Sequence, residues 1–304
     1  MKKVKAAKLS IASNSCLVAM KLVAGLMMFS VSVLSEAVHS MMDLIAAIVA
    51  NYSVGKAVQP PDQEHAYGHG KYENVAGVVE ALLIIFAAAI IIFESIIKIA
   101  SGSEVGFLMV GIVIMGVSTV VNFFVSRYLS KIAEEEDSIA LEADSMHLKT
   151  DVMTSLGVFV GLVVINLTGL KILDPLIALV VAALILKAAY NLTKESSKGL
   201  VDEKLPSEEE MVVKKVLLEH LPEFVAYHKL RTRKGGDQRF IDLHLVMKAD
   251  TSVEDSHKVA DHLEREIKKR LPHASVLIHV EPCDPSKCPI NEQNIIIDIE
   301  DMKN

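Results

Sequence analysis

Six long apolar segments in the first 200 residues most constrain how this chain can fold. At 1.5 Å per residue, each is long enough to cross about 30 Å of hydrocarbon as an α-helix. A backbone inside a bilayer has no water to bond with, so these segments predict membrane-spanning helices. We place the spans at Leu9–Ser30, Val33–Val54, Asn74–Ile99, Val105–Tyr128, Ile139–Leu167 and Ile172–Leu192.

The charged residues divide the chain into two parts. Residues 9–193 contain few of them and residues 194–304 contain many, in a sequence that is 51% hydrophobic. This contrast predicts a six-helix transmembrane domain over 1–200, a cytoplasmic domain over 201–290 and a flexible tail over 291–304. The net charge of −7 lacks the basic footprint of a nucleic-acid-binding protein, so nucleic acid is excluded as a partner.

The basic residues also predict the orientation in the membrane. They gather on one side of the spans, for example at Lys3, Lys56, Arg127 and Lys194. The positive-inside rule therefore places both termini of this multi-pass protein in the cytoplasm, beneath the cell (inner or plasma) membrane. Three cysteines form no disulfide framework and fit a reducing compartment, in which Cys283 and Cys288 are expected as free thiols.

Two predicted spans carry the same pair of polar residues. His39 and Asp43 are four apart on one helix, and His147 and Asp151 are four apart on another, so each pair shares a helix face. Ionisable residues inside a membrane mark functional sites. Two imidazoles and two carboxylates supply the four ligands of a tetrahedral divalent metal site. Local hydrogen bonding explains one such pair equally well, but the repetition at identical spacing favours the metal site.

The loop after the second span offers further metal ligands. Asp62, His65 and His69 follow each other at spacings of three and four, where proline and glycine stop regular structure. This spacing suits a second metal site. A solvated loop with hydrogen-bonding histidines is the alternative.

Beyond Lys194 the pattern becomes that of a small α+β domain. Ser207 with Glu210 predicts the capping box of a helix. A turn at Gly235–Gly236 predicts a hairpin. The predicted elements are a helix over Met211–Leu221, strands over Tyr227–Arg233 and Arg239–Lys248, a helix over Ser252–Arg270 and a strand over Ser275–Glu281. The order α-β-β-α-β is that of a ferredoxin-like, metallochaperone-type sandwich with its helices on one face of the sheet.

Strand alternation places more metal ligands together in this domain. Because side chains alternate between faces, His244 lies opposite the apolar face of its strand, as do His279 and Glu281 on the last strand. With His228 and His257, they predict a metal cluster on or beside the sheet. An exposed polar face is the alternative.

These features together resemble the cation diffusion facilitator family of divalent-metal transporters. The resemblance runs from about Leu9 to Cys283 and depends on the two His/Asp pairs and on two motifs. These are Pro-Asp-x-x-His-x-x-Gly-His-Gly-Lys-x-Glu over 61–73 and Leu-Arg-Thr-Arg over 230–233.

The resemblance implies a homodimer that exchanges metal for protons. It implies that His39, Asp43, His147 and Asp151 form the transport site between helices two and five. It also implies cytoplasmic sites at Asp62, His65 and His69 and at His228, His244, His257, His279 and Glu281. Many members carry aspartate where His39 stands, and the arrangement with two histidines resembles the zinc-selective one. Zn²⁺ is therefore the expected substrate, and an expected structural or regulatory ion of the cytoplasmic sites.

Two other classes of protein need weighing. A membrane-anchored metal sensor would use the cytoplasmic domain alone, without needing His/Asp pairs on two spans. A membrane metallohydrolase needs a general base and an open coordination position. The sequence contains no His-Glu-x-x-His motif, and four protein ligands would close the site, so no enzymatic activity is expected.

Overall fold

The structure, a computed structural model, describes residues 2–28, 31–101, 109–168 and 172–283. Within these ranges it leaves out some side chains, including those of 31–39, 109–115 and 158–168. The chain divides into two compact units, Met1–Leu200 and Val201–Asn304. The predicted tail over 291–304 and Cys288 lie outside the described residues.

Six long helices make up most of the described part of the first unit. They are α1 (Lys2–Met28), α2 (Val31–Ala57), α3 (Lys71–Ser101), α4 (Met109–Glu136), α5 (Ile139–Thr168) and α6 (Leu173–Leu200). Within the described part of the chain, three segments are long and apolar enough to cross a membrane: Lys2–Val23, Lys71–Ile97 and Pro175–Leu200. Large apolar side chains such as Phe86, Phe93 and Phe124 are more than half exposed, as expected of surfaces that face lipid.

A buried ion pair joins three helix ends at the side of the loop that follows α2. Lys3 of α1 donates to Glu73 of α3 at 3.0 Å, and both residues are buried. Ser138, directly before α5, donates to the other oxygen of Glu73 at 2.6 Å. Because the carboxylate is matched by a cation and a hydroxyl, its burial is tolerated, and it ties α1, α3 and α5 together.

Helices α3 and α6 approach each other closely at two glycines. A Cβ on Gly77 would lie 2.3 Å from Ser196 Oγ, and one on Gly199 would lie 2.5 Å from Asn74 Nδ2. Asn74 Nδ2 also donates to the backbone oxygen of Ser196 at 3.0 Å. Small residues that let helices approach, with an amide bonded across them, are the usual means of association in membranes.

Over residues 201–283, the second unit forms a three-stranded sheet covered by helices. Its elements are α7 (Ser207–Glu219), a 3-10 turn (Leu221–Glu223), β1 (Ala226–Gly235), β2 (Gln238–Met247), α8 (Val253–Arg270) and β3 (Ala274–Pro282). The strand order is β1-β2-β3, antiparallel between β1 and β2 and parallel between β2 and β3. Ile241 and Leu243 of β2 share a core with Leu217 of α7 and with Leu263 and Ile267 of α8. This core covers one face of the sheet, and the predicted fold class is confirmed.

Three details of the second unit differ from expectation. The N-cap of α7 is Pro206, whose extended backbone enters the helix without a side-chain cap bond, so the capping box predicted at Ser207 is absent. The hairpin turn lies at Gly236 and Asp237, one residue later than predicted, because Gly235 still pairs with Gln238 and Gly236 takes a φ of 62°. Cys283 is disulfide-bonded, which corrects the expectation of a free thiol, whereas Cys16 is free.

Candidate metal sites

Three of the four predicted transport-site residues converge between α2 and α5. Asp43 of α2 and His147 and Asp151 of α5 each offer a ligand atom, and these atoms lie within 4.8 Å of one another. His147 Nε2 lies 3.2 Å from Asp43 Oδ1. The four-residue spacing brings His147 and Asp151 to one face of α5, and contact between α2 and α5 supplies Asp43.

This cluster is shielded from solvent. Asp43 is 4% exposed and His147 is 6% exposed, while Asp151 is half-buried. His147 Nδ1 is buried and makes no hydrogen bond within the described part of the chain. A buried ring nitrogen without a partner is unfavourable unless a proton acceptor or a metal ion satisfies it. The backbone of His39 lies in α2 one turn before Asp43, but its side chain is outside the description.

The loop between α2 and α3 brings together Asp62, His65 and His69, with ligand atoms within 4.8 Å. His65 Nδ1 and His69 Nε2 each lie 3.3 Å from an oxygen of Asp62. The backbone N–H of His65 donates to Asp62 Oδ1 at 2.6 Å, and this bond, with one from Glu64, holds the pKa of Asp62 below its usual range against the effect of desolvation. Asp62 therefore stays ionised, as a metal ligand must.

Strand register explains a row of histidines on the second unit. His228 of β1 pairs with His244 of β2, which pairs in turn with His279 of β3. The ring centroids are 5.1 Å apart for the first pair and 4.6 Å for the second. His228, His244 and Glu281 form a group whose ligand atoms lie within 4.8 Å.

Glu281 links two of these rings. It contacts His228, and its second oxygen lies 3.2 Å from His244 Nδ1. Burial raises the pKa of Glu281, but the hydrogen bonds and charges of His244 and His228 outweigh that effect and hold the pKa below its ordinary value. The carboxylate is therefore ready to share a cation with the two imidazoles.

Comparison with known proteins decides the family. A family model described as the cation efflux transmembrane domain matches residues 7–201, and one described as the cation efflux protein, cytoplasmic domain, matches residues 205–283. This chain belongs to the cation diffusion facilitator family. It is a cation efflux transporter and an integral membrane protein.

Relatives match nearly the full length of this cation diffusion facilitator. An uncharacterized transporter of Synechocystis sp. is 34% identical over 92% of this chain and 91% of its own. The cation-efflux pump FieF of Cronobacter sakazakii is 31% identical over 84% of each chain. Among solved structures, CzrB in its zinc form is 39% identical over 27% of this chain and 92% of its own, with a TM-score of 0.26. The metal-bound C-terminal domain of the CzcD transporter from Thermotoga maritima is 30% identical over 25% and 87%, with a TM-score of 0.24.

Two predicted ligands of this cation diffusion facilitator stand apart, and one group was missed. His257 on α8 and His279 on β3 are both exposed, and neither belongs to a ligand group among the described residues, although the ring of His279 lies beside that of His244. Conversely, His220, Glu223 and His262 form a fourth group within 4.8 Å that sequence analysis did not predict. His220 and Glu223 are three apart, but no periodic pattern links them to His262, about forty residues away.

Proposed function

We propose that this cation efflux transporter exchanges Zn²⁺ for protons through a site made by His39, Asp43, His147 and Asp151. The observation that carries the proposal is the convergence of Asp43, His147 and Asp151 from two helices at a buried position. His39, one turn before Asp43 on α2, supplies the fourth ligand. Two nitrogens and two carboxylate oxygens match the ligand types and number of a tetrahedral zinc site.

Competition between metal and proton gives the coupling. A neutral imidazole binds Zn²⁺ and an imidazolium does not, so metal binding displaces protons from His39 and His147. With the site open to the cytoplasm, zinc enters and protons leave. Once the helices have rearranged, the more acidic outer side returns protons to the histidines and releases the zinc.

Alternating access requires two arrangements of the helices that zinc and protons favour differently. Zinc draws the carboxylates of Asp43 and Asp151 onto one ion and so favours close approach of α2 and α5. Without the ion, protons bound at the site offset part of the repulsion between the two acids. We propose that this difference biases the equilibrium between the two arrangements.

The membrane orientation and the cytoplasmic sites complete the proposal. By the positive-inside rule, both termini and the Asp62–His69 loop lie in the cytoplasm, beneath the cell membrane. We propose that Asp62, His65 and His69 bind zinc near the transport pathway. His228, His244, His257, His279 and Glu281 are proposed to bind it in the soluble unit of a homodimer, where it stabilises the dimer or senses the metal load.

Reconstitution tests the proposal directly. Proteoliposomes with a trapped zinc dye and a trapped pH dye should show zinc flux that depends on a pH gradient, with counter-flow of protons. His147→Ala and Asp151→Ala should abolish both signals. Glu94→Gln removes an exposed acid of α3, away from the site, and should leave them intact.

The same experiment separates transport from sensing. A membrane-anchored sensor would bind zinc in its soluble unit but show no dye signal in any variant. Zinc flux that persists undiminished in both His147→Ala and Asp151→Ala would refute the assigned site. Zinc flux without any proton movement would refute the exchange.

A further inference from the structure

A ligand group on the helical side of the soluble unit falls outside all the sites described above. His220 is the C-cap residue of α7, Glu223 ends the 3-10 turn, and His262 lies on α8. Each offers one ligand atom, and these atoms lie within 4.8 Å of one another. Two imidazoles and a carboxylate from three separate elements thus lie close together.

The tautomer of His220 is set by its neighbour. His220 Nδ1 lies 2.8 Å from the backbone oxygen of Val216. A carbonyl oxygen can only accept, so Nδ1 carries the proton and donates it, and Nε2 keeps its lone pair. A metal-binding histidine is oriented in this way, with its other nitrogen bonded to a carbonyl or a carboxylate. The structure therefore holds His220 ready to bind through Nε2.

The second imidazole completes a converging pair. The rings of His220 and His262 are 4.9 Å apart between centroids and 70° apart in plane. Both are half-buried, whereas Glu223 is exposed. Solvent can therefore reach the group and supply a water ligand.

Two of the neighbouring cations are already paired. Arg270 of α8 binds Glu219 at the end of α7, and Lys269 binds Glu266, one turn from His262. A third cation, Lys215 of α7, also acts on Glu219. The carboxylates of Glu219, Glu223 and Glu266 equal these three cations in number, so these charges add no net positive charge that would oppose a bound ion.

The group is separate from the histidine row of the sheet. Helices α7 and α8 cover the sheet face that carries Ile241 and Leu243. His244 alternates with these residues along β2 and so faces the opposite side. An ion held at His262 would thus be divided from one held at Glu281 by the apolar core of the unit.

We propose that His220, Glu223 and His262 bind a divalent transition-metal ion such as Zn²⁺, with water as the fourth ligand. Two nitrogens and one oxygen suit ions of intermediate softness, and three protein ligands plus water form a tetrahedral site. The ion would join the end of α7 and the 3-10 turn to α8. This site does not depend on the transport proposal.

Metal counting on the full-length protein in detergent tests the site. After equilibration with buffered free Zn²⁺, His262→Gln should hold one zinc fewer per chain than the wild type. Zinc should slow amide hydrogen exchange over residues 219–225 in the wild type but not in His262→Gln. Glu264→Gln, two positions along α8 in an exposed pair with Lys268, is the matched control and should behave as the wild type.

The control measurements keep the test decisive. Metal-free exchange over β1 to β3 shows whether His262→Gln is folded. If His262→Gln does not fold, Glu223→Gln takes its place, because it changes an exposed side chain. This variant should bind the zinc ion assigned to this site more weakly than the wild type does. Equal zinc content and equal zinc-induced protection in the wild type and the folded variant would overturn the proposal, as would an equal loss in Glu264→Gln.

Discussion

His147 of α5 directs Nε2 at the carboxylate of Asp43 on α2, 3.2 Å away. The two residues are 104 positions apart in sequence, and both are buried. This contact joins the two helices that carry the proposed ligands. It also leaves the other ring nitrogen of His147 without a hydrogen bond among the described residues. Asp43 is therefore both a proposed ligand and the group that orients His147.

Replacing Asp43 with asparagine should separate charge from shape. The amide can still bond to His147, so we expect the helices to keep their packing. The anionic ligand is lost, so zinc should bind far more weakly. Loss of a residue that only supports a ligand lowers metal affinity about 10–100-fold, and loss of Asp43 should lower it by more. The half-saturating zinc concentration for flux in proteoliposomes measures this. An unchanged value would contradict the role of Asp43, and Glu94→Gln is the control for removal of an acid from a membrane helix.

The histidine on α2 should control metal selectivity. His39→Asp replaces an imidazole with a carboxylate, giving one nitrogen and three oxygen ligands. Carboxylates suit Mn²⁺ better than imidazoles do, so Mn²⁺ should compete better with Zn²⁺ for transport in the variant than in the wild type. A competition assay with both ions measures the ratio. If the ratio is the same in both proteins, position 39 does not contribute a ligand.

Local sequence patterns predicted those parts of the structure that depend on neighbours in the chain. Long apolar segments require helices in a bilayer, which is why the start of α5 at Ile139 could be predicted. Alternation along β2 and β3 predicted that His244 and Glu281 avoid the apolar face, because side chains point to opposite sides of a strand. The repetition of the His/Asp pair on two spans predicted that the pairs share a site, and Asp43, His147 and Asp151 do converge.

Tertiary pairing was beyond such patterns. The parallel register of β2 and β3, which sets His244 beside His279, depends on the crossover through α8. No local sequence pattern indicates which residues of the two strands are paired. The group of His220 and His262 arises only because α7 packs against α8. The error at Ser207 has a local cause, since the preceding Pro206 adopts the extended N-cap conformation itself.

Asp62 should have separable roles in loop structure and in metal binding. Its Oδ1 accepts from the backbone N–H groups of Glu64 and His65, a turn that an asparagine side chain can also make. We therefore expect Asp62→Asn to keep the turn but weaken zinc binding in the loop, and Asp62→Ala to lose both. Millisecond hydrogen exchange over residues 62–70, with and without zinc, distinguishes them. Identical zinc protection in Asp62→Asn and the wild type would show that the carboxylate is not a ligand.

Two glycines in the membrane unit should respond oppositely to alanine. A Cβ at Gly77 would meet Ser196 Oγ at 2.3 Å and Ile139 Cγ2 at 3.0 Å, so Gly77→Ala should destabilise the protein by about 1–3 kcal/mol through overpacking. A Cβ at Gly55 on α2 would instead have no neighbouring atom within 4 Å. Gly55→Ala should stabilise it by ~0.5–1 kcal/mol, because alanine is the better helix former. Thermal unfolding in detergent compares the two, and equal shifts would contradict the close packing of α3 on α6.

Glu210 of α7 should stabilise the soluble unit in a pH-dependent way. Burial raises its pKa, but hydrogen bonds from Lys204 and Lys214 outweigh this and hold the pKa below the ordinary value. Because the folded pKa is the lower one, the stabilisation is complete above the unfolded pKa, near 4.3, and is lost as pH falls through the folded pKa. At neutral pH, Glu210→Gln should lower the stability of α7 by roughly 0.5 kcal/mol.

Hydrogen exchange over α7 measures this difference in stability. The variant and the wild type are compared at the same pH, because the intrinsic exchange rates of their amides are then the same. The matched control is Glu208→Gln. It removes the same charge from the same first turn, and so the same interaction with the helix dipole, but Glu208 makes no ion pair among the described residues. At neutral pH, Glu210→Gln should lower the stability of α7 by more than Glu208→Gln does. This excess should vanish below the folded-state pKa of Glu210. An equal loss in both variants would assign the effect to the dipole instead of the lysines.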